Sequence, residues 1–229
     1  EIYTLSLHDA LPIYDCQDSK KIIKLPTLPG FDSKLLEIKN GKVYEDLVGE
    51  KKYKDDKKSY RIYKLYADRN GVPKKEVLYE TKIAAFPQAG VMCQNKIIVG
   101  LVRKKGVDEI ISIDAETGER KLINRGKYSY DSKGRVSGTC LAGNFGSSGN
   151  QEEENFCYQV LDVKKKNLKY YNTLKSHIYL YSIKTGRSQK VIEYPRLVEA
   201  LSTTGDVICF MNDRSEEHTS ELQSHDCIS

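Results

Sequence analysis

His177 and the serines of a glycine-rich stretch are the residues closest to hydrolytic chemistry. Residues 146–150 read GSSGN, which approaches the G-x-S-x-G turn that presents a nucleophilic serine, but Asn150 replaces the last glycine and no helix pattern follows. A serine nucleophile also needs a histidine base oriented by a third group. His177 stands at the start of an alternating apolar stretch, where a structural role is expected. We therefore predict no catalytic residue and no enzymatic activity.

Two acidic turns resemble fragments of calcium-binding loops. Asp114 begins the run DAETGE, and Asp68 begins the run DRNG. Neither run supplies the alternating oxygen ligands and the terminal bidentate glutamate that such a loop requires. Aspartate also caps turns through its own carboxylate. Turn structure is expected at both positions, and the sequence predicts no metal and no cofactor.

The stretch GNFGSSGNQEEEN at residues 143–155 is rich in glycine, serine and acid. A phosphate-binding loop would need a lysine followed by serine or threonine at the start of a helix. That pair is absent from the stretch, and the three glutamates at residues 152–154 would repel phosphate. The composition predicts a surface insertion in contact with solvent.

Two basic segments contain tyrosines, KKYKDDKKSYR at residues 51–61 and VKKKNLKYY at residues 163–171. Lysines beside tyrosines can follow a nucleic-acid backbone while the rings stack on bases. Strand edges and hairpin tips have the same composition, because lysine discourages edge-to-edge pairing of strands. No nucleic-acid-binding motif accompanies the segments. The second interpretation is favoured, and a basic nucleic-acid-binding module is the weaker alternative.

Both ends of the chain resemble translated sequencing adapter. Residues 1–13 (EIYTLSLHDALPI) back-translate into one arm of a common short-read library adapter, and residues 214–224 (RSEEHTSELQS) into the opposite arm. We expect residues 1–13 and 214–229 not to be native, with at most a short helix near residues 215–223. Residues 14–213 are then an insert cut from a longer protein, and His177 is the one histidine within it.

Charge and apolar content bound the class of protein. The chain has 229 residues and a formal net charge of +5; the two expected flanks together carry −5, which leaves the insert near +10. This balance suits nucleic acid or another anionic partner, and it is equally typical of a globular domain with a lysine-rich surface. No apolar run approaches the roughly 20 residues that span a bilayer, so no transmembrane segment is predicted.

The cysteines indicate packing rather than chemistry. Cys93, Cys140 and Cys209 each lie in an apolar, strand-like run, where an unbridged cysteine acts as a small buried apolar residue. No pair has the CxxC spacing. A disulfide between Cys140 and Cys157 across the glycine-rich stretch is an alternative that the sequence leaves open.

One phrase recurs three times, at residues 61–79 (RIYKLYADRNGVPKKEVLY), 109–123 (EIISIDAETGERKLI) and 177–192 (HIYLYSIKTGRSQKVI). Each copy is an alternating apolar strand, a polar turn that closes on glycine, and a second strand. A hairpin turn of this kind requires a residue with positive φ. We expect that conformation at the closing glycines Gly71, Gly118 and Gly186.

A second type of hairpin precedes each of these phrases. Its turns are predicted at Asn40-Gly41, Gln94-Asn95, Lys133-Gly134 and Thr204-Gly205. The repeating unit is therefore four strands, and the 47 residues from Gly71 to Gly118 match the length of a propeller blade. The longer interval of 68 residues to Gly186 is attributed to the insertion at residues 143–155.

The fold class that follows is all-β, a partial β-propeller of about three to four four-stranded antiparallel blades. No stretch sustains a helical apolar period, and β-branched and aromatic residues dominate the apolar set. Strands are expected within residues 36–48, 60–80, 91–123, 135–162 and 177–210. The side chains expected to point inward are Val99, Ile111, Ile113, Ile183 and Val207.

The phrases IISIDAETGERKLI and IYLYSIKTGRSQKVI resemble the strand, aspartate, threonine-glycine, strand phrase of TolB-like and related bacterial propellers, including domain-of-unknown-function families of cell-envelope proteins. The third copy has Lys184 where the second has Asp114, so no acidic ring is expected. The resemblance implies a non-catalytic scaffold, or a domain that binds a protein or small ligand, in a bacterial envelope or secreted protein.

Binding in such a domain would be carried by connections between strands at the propeller face, such as residues 137–154 and 51–59. The alternative is the propeller portion of a larger, prolyl-oligopeptidase-like hydrolase, whose catalytic residues would lie outside the chain. No oligomeric state follows from the sequence.

Overall fold

The architecture comes from a computed structural model. It describes residues 12–15, 18–24, 32–39, 41–52, 57–84, 87–104, 106–133, 135–146, 154–167, 174–204, 207–212 and 226–228. Within these residues the regular elements are strands, and their pairings are antiparallel. The part of the chain so described contains no helix long and apolar enough to cross a membrane. The chain divides into two compact units, residues 1–84 with 115–118 and residues 85–114 with 119–229.

The first unit contains one hairpin and one four-stranded blade. The hairpin pairs β1 (Pro12–Asp15) with β2 (Asp18–Lys24). The blade has the order β3–β4–β5–β6, with the strands β3 (Asp32–Lys39), β4 (Lys42–Lys52), β5 (Lys58–Ala67) and β6 (Pro73–Ile83). Successive side chains of β5, such as Tyr60 and Ile62 on one face and Tyr63 and Leu65 on the other, are buried. A strand buried on both faces is apolar almost throughout rather than alternating.

The second unit contains an eight-stranded sheet in the order β14 to β7. It consists of two consecutive blades. The first blade has the strands β7 (Gln88–Cys93), β8 (Lys96–Lys104), β9 (Val107–Asp114) and β10 (Arg120–Tyr130). The second blade has the strands β11 (Arg135–Gly146), β12 (Asn155–Asn167), β13 (Ser176–Ser182) and β14 (Arg187–Tyr194).

Strand β10 joins the two blades because it pairs with a different neighbour along each part of its length. Residues 120–127 pair with β9, whereas Tyr128 to Tyr130 pair with β11. The crossing is tight: a Cβ on Gly138, whose φ is +127°, would lie 2.3 Å from the carbonyl oxygen of Lys127. Glycine is required at this crossing for both reasons, the close backbone and the positive φ.

The second unit also contains a three-stranded sheet. It has the order β15–β16–β17, with β15 (Val198–Thr204), β16 (Val207–Asn212) and β17 (Asp226–Ile228). The hairpin β15–β16 is the start of a further blade that the repeat predicts. Strand β17 and the first residues of β1 fall in the expected adapter flanks, where no strand was predicted, and the helix considered near residues 215–223 lies outside the described residues.

One core cluster of the second unit contains side chains from both of its blades. Eight buried side chains form one cluster, namely Cys93, Ile98, Ile110, Leu141, Phe156, Tyr158, Val160 and Tyr181. Its aromatic rings pack face to face or edge to face, with centroids 5.6 Å apart for Phe156 and Tyr158 and 5.7 Å apart for Phe156 and Tyr181. These spacings are typical of favourable aromatic pairs. The cluster fixes the faces of β9 and β10 that are turned inward.

The fold class predicted from the sequence is confirmed. Strands β3 to β16 lie within or close to the predicted ranges, whereas β1, β2 and β17 lie outside them. Val99, Ile111 and Ile113 are fully buried. Ile183 is partly buried against the aromatic cluster, and the side chain of Val207 lies outside the description. The closing glycines have positive φ, +74° at Gly71, +74° at Gly118 and +65° at Gly186.

Two details of the sequence interpretation are wrong. The turn at Lys133-Gly134 does not lie within a blade, since it connects β10 of one blade to β11 of the next. The stretch at residues 143–155 is not wholly an insertion without secondary structure, because β11 continues through Gly146 and β12 begins at Asn155. The longer repeat interval is therefore largely a long hairpin, with Phe145 paired to Tyr158.

No disulfide joins Cys140 and Cys157. The register pairs Cys140 with Leu161 and Cys157 with Gly146. Cys157 and Leu161 are four residues apart on one strand, a distance of about 13 Å. A disulfide requires Cα atoms within about 7 Å, so the alternative that the sequence left open does not fit the paired strands.

Candidate functional site

Four charged residues form a compact group on one face of the blade β7–β10. Glu109 of β9 stands at its centre, and Arg103 of β8 with Arg120 and Arg125 of β10 surround it. We call this group the Glu109 arginine cluster. Three guanidinium groups against one carboxylate leave a surplus of two positive charges in the cluster.

Both carboxylate oxygens of Glu109 accept hydrogen bonds from arginine. Arg103 Nε donates to Oε2 at 2.6 Å, and Arg120 Nη2 donates to the same oxygen at 2.9 Å. Arg125 donates to Oε1 through Nε at 2.9 Å and through Nη2 at 2.5 Å. Burial raises the pKa of Glu109, but the hydrogen bonds and charges of the arginines outweigh it and hold the pKa below its usual value. Glu109 is therefore ionised at neutral pH and orients all three guanidinium groups.

A β-bulge brings two of the arginines to the same face. Arg120 and Arg125 are five residues apart, and an uninterrupted strand would place them on opposite faces. The register shifts between Leu122 and Asn124, so that Arg120 pairs with Ile113, Leu122 with Ile111 and Arg125 with Glu109. The extra residue restores both arginines to the face of Glu109, which is a common use of bulges near functional sites.

Arg103 reaches Glu109 from a second irregularity. The pairing of β8 with β9 shifts between Val102 and Lys104, and Arg103 is the residue at the shift. Its guanidinium is the most enclosed of the three, with 16% of the side chain exposed, against 37% for Arg120 and 47% for Arg125. Arg103 thus lies on the buried side of the cluster, and Arg120 and Arg125 face solvent.

The exposed arginines keep hydrogen-bond donors to spare. Arg120 uses Nη2, and Arg125 uses Nε and Nη2, for Glu109. Among the described residues, no acceptor takes a hydrogen bond from Nη1 of either side chain. A guanidinium has five N–H groups in a planar fork that matches carboxylate and phosphate oxygens. The cluster can therefore accept an external oxyanion without giving up Glu109.

His177 lies in a separate polar row on the second blade. Its Nε2 is 3.3 Å from Asp162 Oδ2, and its Nδ1 is 3.4 Å from Glu193 Oε2. Asp162 also accepts a hydrogen bond from Thr139, and Glu193 pairs with Lys175 and Lys190. Within the described part of the chain, no serine, threonine or cysteine bonds to either ring nitrogen. The two nitrogens point to opposite neighbours, so the row does not converge on one point.

The half-buried thiol of Cys140 lies near the carboxyl groups of Asp108 and Asp162. Asp108 accepts hydrogen bonds from Tyr128 Oη and from the backbone N–H of Leu141, both at 3.3 Å. Burial raises the pKa of Asp108 above its usual value. Burial also raises the pKa of Cys140 to about 11, with further contributions from Asp108 and Asp162. A thiol of this kind is protonated at neutral pH and is a poor nucleophile.

One of the two acidic turns, at Asp68, has the capping role that turn chemistry predicts, and the carboxylate of Asp114 forms an ion pair instead. Asp68 Oδ1 accepts hydrogen bonds from the backbone N–H groups of Asn70 and Val72, both at 2.9 Å. Asp114 pairs with Lys96 at 2.8 Å. The residues that the structure describes contain no group of three or more histidine, cysteine or acidic side chains suited to a metal ion.

One of the four tyrosines of the two basic segments lies within the described residues. Tyr60, in the first segment, is fully buried, and its hydroxyl donates to Asp46 at 3.5 Å. Arg61 pairs with Glu80. In the second segment, Val163 is buried and Lys164 is exposed, and residues 168–171 lie outside the described part. Apart from Lys57, the described members belong to β4, β5 and β12, which are interior strands of their sheets and not the strand edges of the favoured interpretation.

The connections proposed for binding fall largely on strands. Residues 137–146 belong to β11, and the loop that follows at residues 147–153 lies outside the description, as does most of GSSGN. Lys51 and Lys52 end β4, and Lys58 and Ser59 begin β5. The connection predicted at residues 137–154 was therefore too long, because most of its residues belong to a strand.

Sequence reasoning missed the Glu109 arginine cluster altogether. Strict alternation separates Arg120 from Arg125, and the bulge that reunites them has a weak signal. That signal is the adjacent apolar pair Leu122-Ile123, which interrupts an otherwise polar run. Ile123 packs toward the aromatic cluster and Leu122 points away from it, with 41% of its surface exposed.

Comparisons with known proteins identify no family for this chain. No protein-family model matches the chain, and no curated protein is similar to it in sequence. Similar solved structures include the β-propeller domain of the Trilobed protease from Pyrococcus furiosus, with 16% identity, a TM-score of 0.46, and 85% of this chain and 53% of that chain covered. The Pyrococcus horikoshii acylaminoacyl peptidase has 12% identity, a TM-score of 0.49, and coverage of 86% and 33%.

TolB from Acinetobacter baumannii, the type of propeller that the sequence resembles, is also among the similar structures. It has 15% identity, a TM-score of 0.37, and coverage of 69% of this chain and 33% of that chain. The chain spans between a third and about half of the length of these three proteins. None of these likenesses assigns a role to a residue of the cluster.

Proposed function

We propose that this chain is a non-catalytic β-propeller domain that binds an anionic ligand or partner through the Glu109 arginine cluster. The observation that carries the proposal is the surplus of guanidinium groups around one buried carboxylate. A single structural ion pair would need one arginine, whereas here two further guanidinium groups lie at the surface with donors directed away from Glu109. Oriented arginines of this kind are the usual means of recognising carboxylate and phosphate groups.

The side chains suited to catalysis support a binding role over an enzymatic one. His177 lies between two carboxylates without a hydroxyl or thiol partner in the described residues. The raised pKa of Cys140 keeps its thiol protonated. A fluorophosphonate probe for serine hydrolases should leave the complete chain unmodified. Covalent labelling would overturn the non-catalytic part of the proposal.

Titration with inorganic phosphate tests the binding part. We expect saturable changes in the NMR signals of the Arg120 and Arg125 side-chain Nε–H groups at millimolar phosphate. In the double variant Arg120→Gln/Arg125→Gln, the NMR signals of the remaining cluster residues, Arg103 and Glu109, should no longer show a saturable response to phosphate. The matched control is Arg187→Gln/Lys190→Gln, which removes two exposed positive charges from β14. Equal loss of phosphate binding in both variants would indicate a general charge effect and would contradict the proposal.

A further inference from the structure

The turn between β5 and β6 presents an asparagine followed directly by a glycine, Asn70-Gly71. Asparagine is chemically labile in this setting, because the backbone nitrogen of the next residue can attack the side-chain amide carbon. Glycine leaves that nitrogen unshielded, since it has no Cβ. Asn70 is exposed, and a Cβ placed on Gly71 would meet no described atom within 4 Å. The turn is therefore open to solvent and has room for a cyclic intermediate.

The reaction of this pair is a loss of ammonia followed by a gain of water. The Gly71 nitrogen gives up its proton and bonds to Cγ of Asn70, and the side-chain nitrogen leaves with a proton as ammonia. Water then opens the resulting succinimide ring at one of its two carbonyl carbons. Opening at Cγ leaves aspartate at position 70 with the main chain unchanged. Opening at the backbone carbonyl leaves isoaspartate, which adds one methylene to the main chain.

Asp68 holds the turn in a conformation that opposes this attack. Its backbone oxygen accepts the N–H of Gly71 at 2.8 Å, so the nitrogen that must attack is already bonded elsewhere. Its carboxylate Oδ1 accepts the backbone N–H groups of Asn70 and Val72, each at 2.9 Å. The hydrogen bond from Val72, followed by that from Asn70, holds the pKa of Asp68 below its usual value, so the carboxylate is an ionised acceptor at neutral pH. Attack requires rotation about the Cα–C bond of Asn70, and that rotation breaks these hydrogen bonds.

We propose that Asn70 is a site of spontaneous deamidation and that Asp68 controls its rate, because the Gly71 nitrogen attacks only when the turn opens. The reaction is independent of the Glu109 arginine cluster. Its isoaspartate product affects the blade, since the longer main chain does not fit the hydrogen bonds to Asp68. Among the described residues β6 pairs with β5 alone and forms the edge of its sheet. A change in this turn therefore weakens the one hairpin that holds β6.

Peptide mapping of the complete chain by mass spectrometry tests the proposal. The chain is incubated at neutral pH in water enriched in the heavy oxygen isotope and then cleaved after lysine in ordinary water. Fragment ions of the peptide of residues 65–74 locate the new acid, which carries the heavy oxygen, at position 70. This position should convert about tenfold more slowly in the chain than in a free peptide of the same residues, a factor that corresponds to about one net hydrogen bond. Equal rates, or an unmodified chain when the free peptide is fully converted, would overturn the proposal.

Asp68→Ala removes the acceptor of two backbone N–H groups and should raise the rate at position 70 about three- to tenfold, whereas Asp68→Asn keeps an acceptor oxygen and should stay close to the parent rate. The matched control is Asp131→Ala. Asp131 Oδ1 likewise accepts two backbone N–H groups, from Lys133 and Arg135, at 2.9 Å each, and its loss should leave position 70 at the parent rate. An unchanged rate in Asp68→Ala, or equal increases in both alanine variants, would refute control by Asp68. If Asp68→Ala does not fold, the comparison of the parent chain with the free peptide still decides.

Discussion

Substitution of Glu109 by glutamine separates the structural role of the cluster from its binding role. The side chain keeps its size, but the negative charge is lost and one of its two acceptor oxygens becomes an N–H donor that faces guanidinium donors. Glu109 is 5% exposed and accepts four hydrogen bonds from three arginines. Hydrogen bonds to charged groups contribute about 1.5–3 kcal/mol each, but those from half-exposed arginines are discounted for screening.

The largest contribution comes from Arg103, because its side chain is only 16% exposed. Arg120 and Arg125 remain solvated and add about 0–1 kcal/mol each. The expected loss in the free energy of unfolding is therefore about 2–4 kcal/mol. With a urea dependence of about 2 kcal/mol per molar, the midpoint should fall by about 1–2 M.

Urea unfolding followed by circular dichroism measures this shift, with Glu193→Gln as the control for an exposed glutamate that also pairs with cations. The control should change the free energy of unfolding by less than about 1 kcal/mol. The pKa of Glu109 is lowered in the folded protein, so its contribution is present above the pKa of the unfolded state and is lost as the pH falls through the folded pKa. The difference in the free energy of unfolding between Glu109→Gln and the parent protein should accordingly become smaller below about pH 4. Equal unfolding midpoints at neutral pH would refute the assignment of Glu109 as the centre of the cluster.

Three further outcomes are expected. Gly138→Ala should lower the free energy of unfolding in urea by about 2 kcal/mol or more, because a Cβ would lie 2.3 Å from the Lys127 carbonyl oxygen at a φ of +127°. The control Gly71→Ala has a φ of +74° and no atom within 4 Å of the added Cβ, so it should lower the free energy of unfolding by only about 1 kcal/mol. Equal losses in the two variants would show that the crossing of β10 and β11 is not tight. Cys140 should react slowly with iodoacetamide in the native protein at pH 7, since a pKa of about 11 leaves the thiol protonated, and fast reaction without unfolding would contradict its burial. The free energy of unfolding of the parent protein should fall as the pH rises above about 9, because the Cys140 thiol ionises there in the unfolded state but not in the folded state. Cys140→Ser removes the thiol and should make this fall smaller. Identical pH profiles of the free energy of unfolding for the parent and the variant would argue against the raised pKa.

The strands and turns were predictable because their signals are local. Gly71, Gly118 and Gly186 close hairpins whose geometry requires positive φ, and each glycine has it. The turn at Lys133-Gly134 carries the same local signal, yet it connects two blades rather than two strands of one blade. A hairpin signal reports that the chain reverses there. It contains no information on which sheet the returning strand enters, since that depends on distant pairings such as those of β11 with β12.

The candidate site was not predictable from alternation, because it exists where alternation fails. Regular period-two strands place Arg120 and Arg125 on opposite faces, and only the additional residue beside Leu122 brings them together. Inserting that residue leaves the inward side of β10 intact: Asn124 donates a hydrogen bond to Tyr158 Oη at 3.1 Å, and Ile123 packs against the same aromatic cluster. The interior contacts thereby hold the bulge in place from the other side of the sheet. Arg120 and Arg125 therefore lie on one face because the opposite side of β10 packs against the aromatic cluster. Substitutions in the aromatic cluster should alter the positions of these arginines, although no aromatic side chain belongs to the Glu109 arginine cluster.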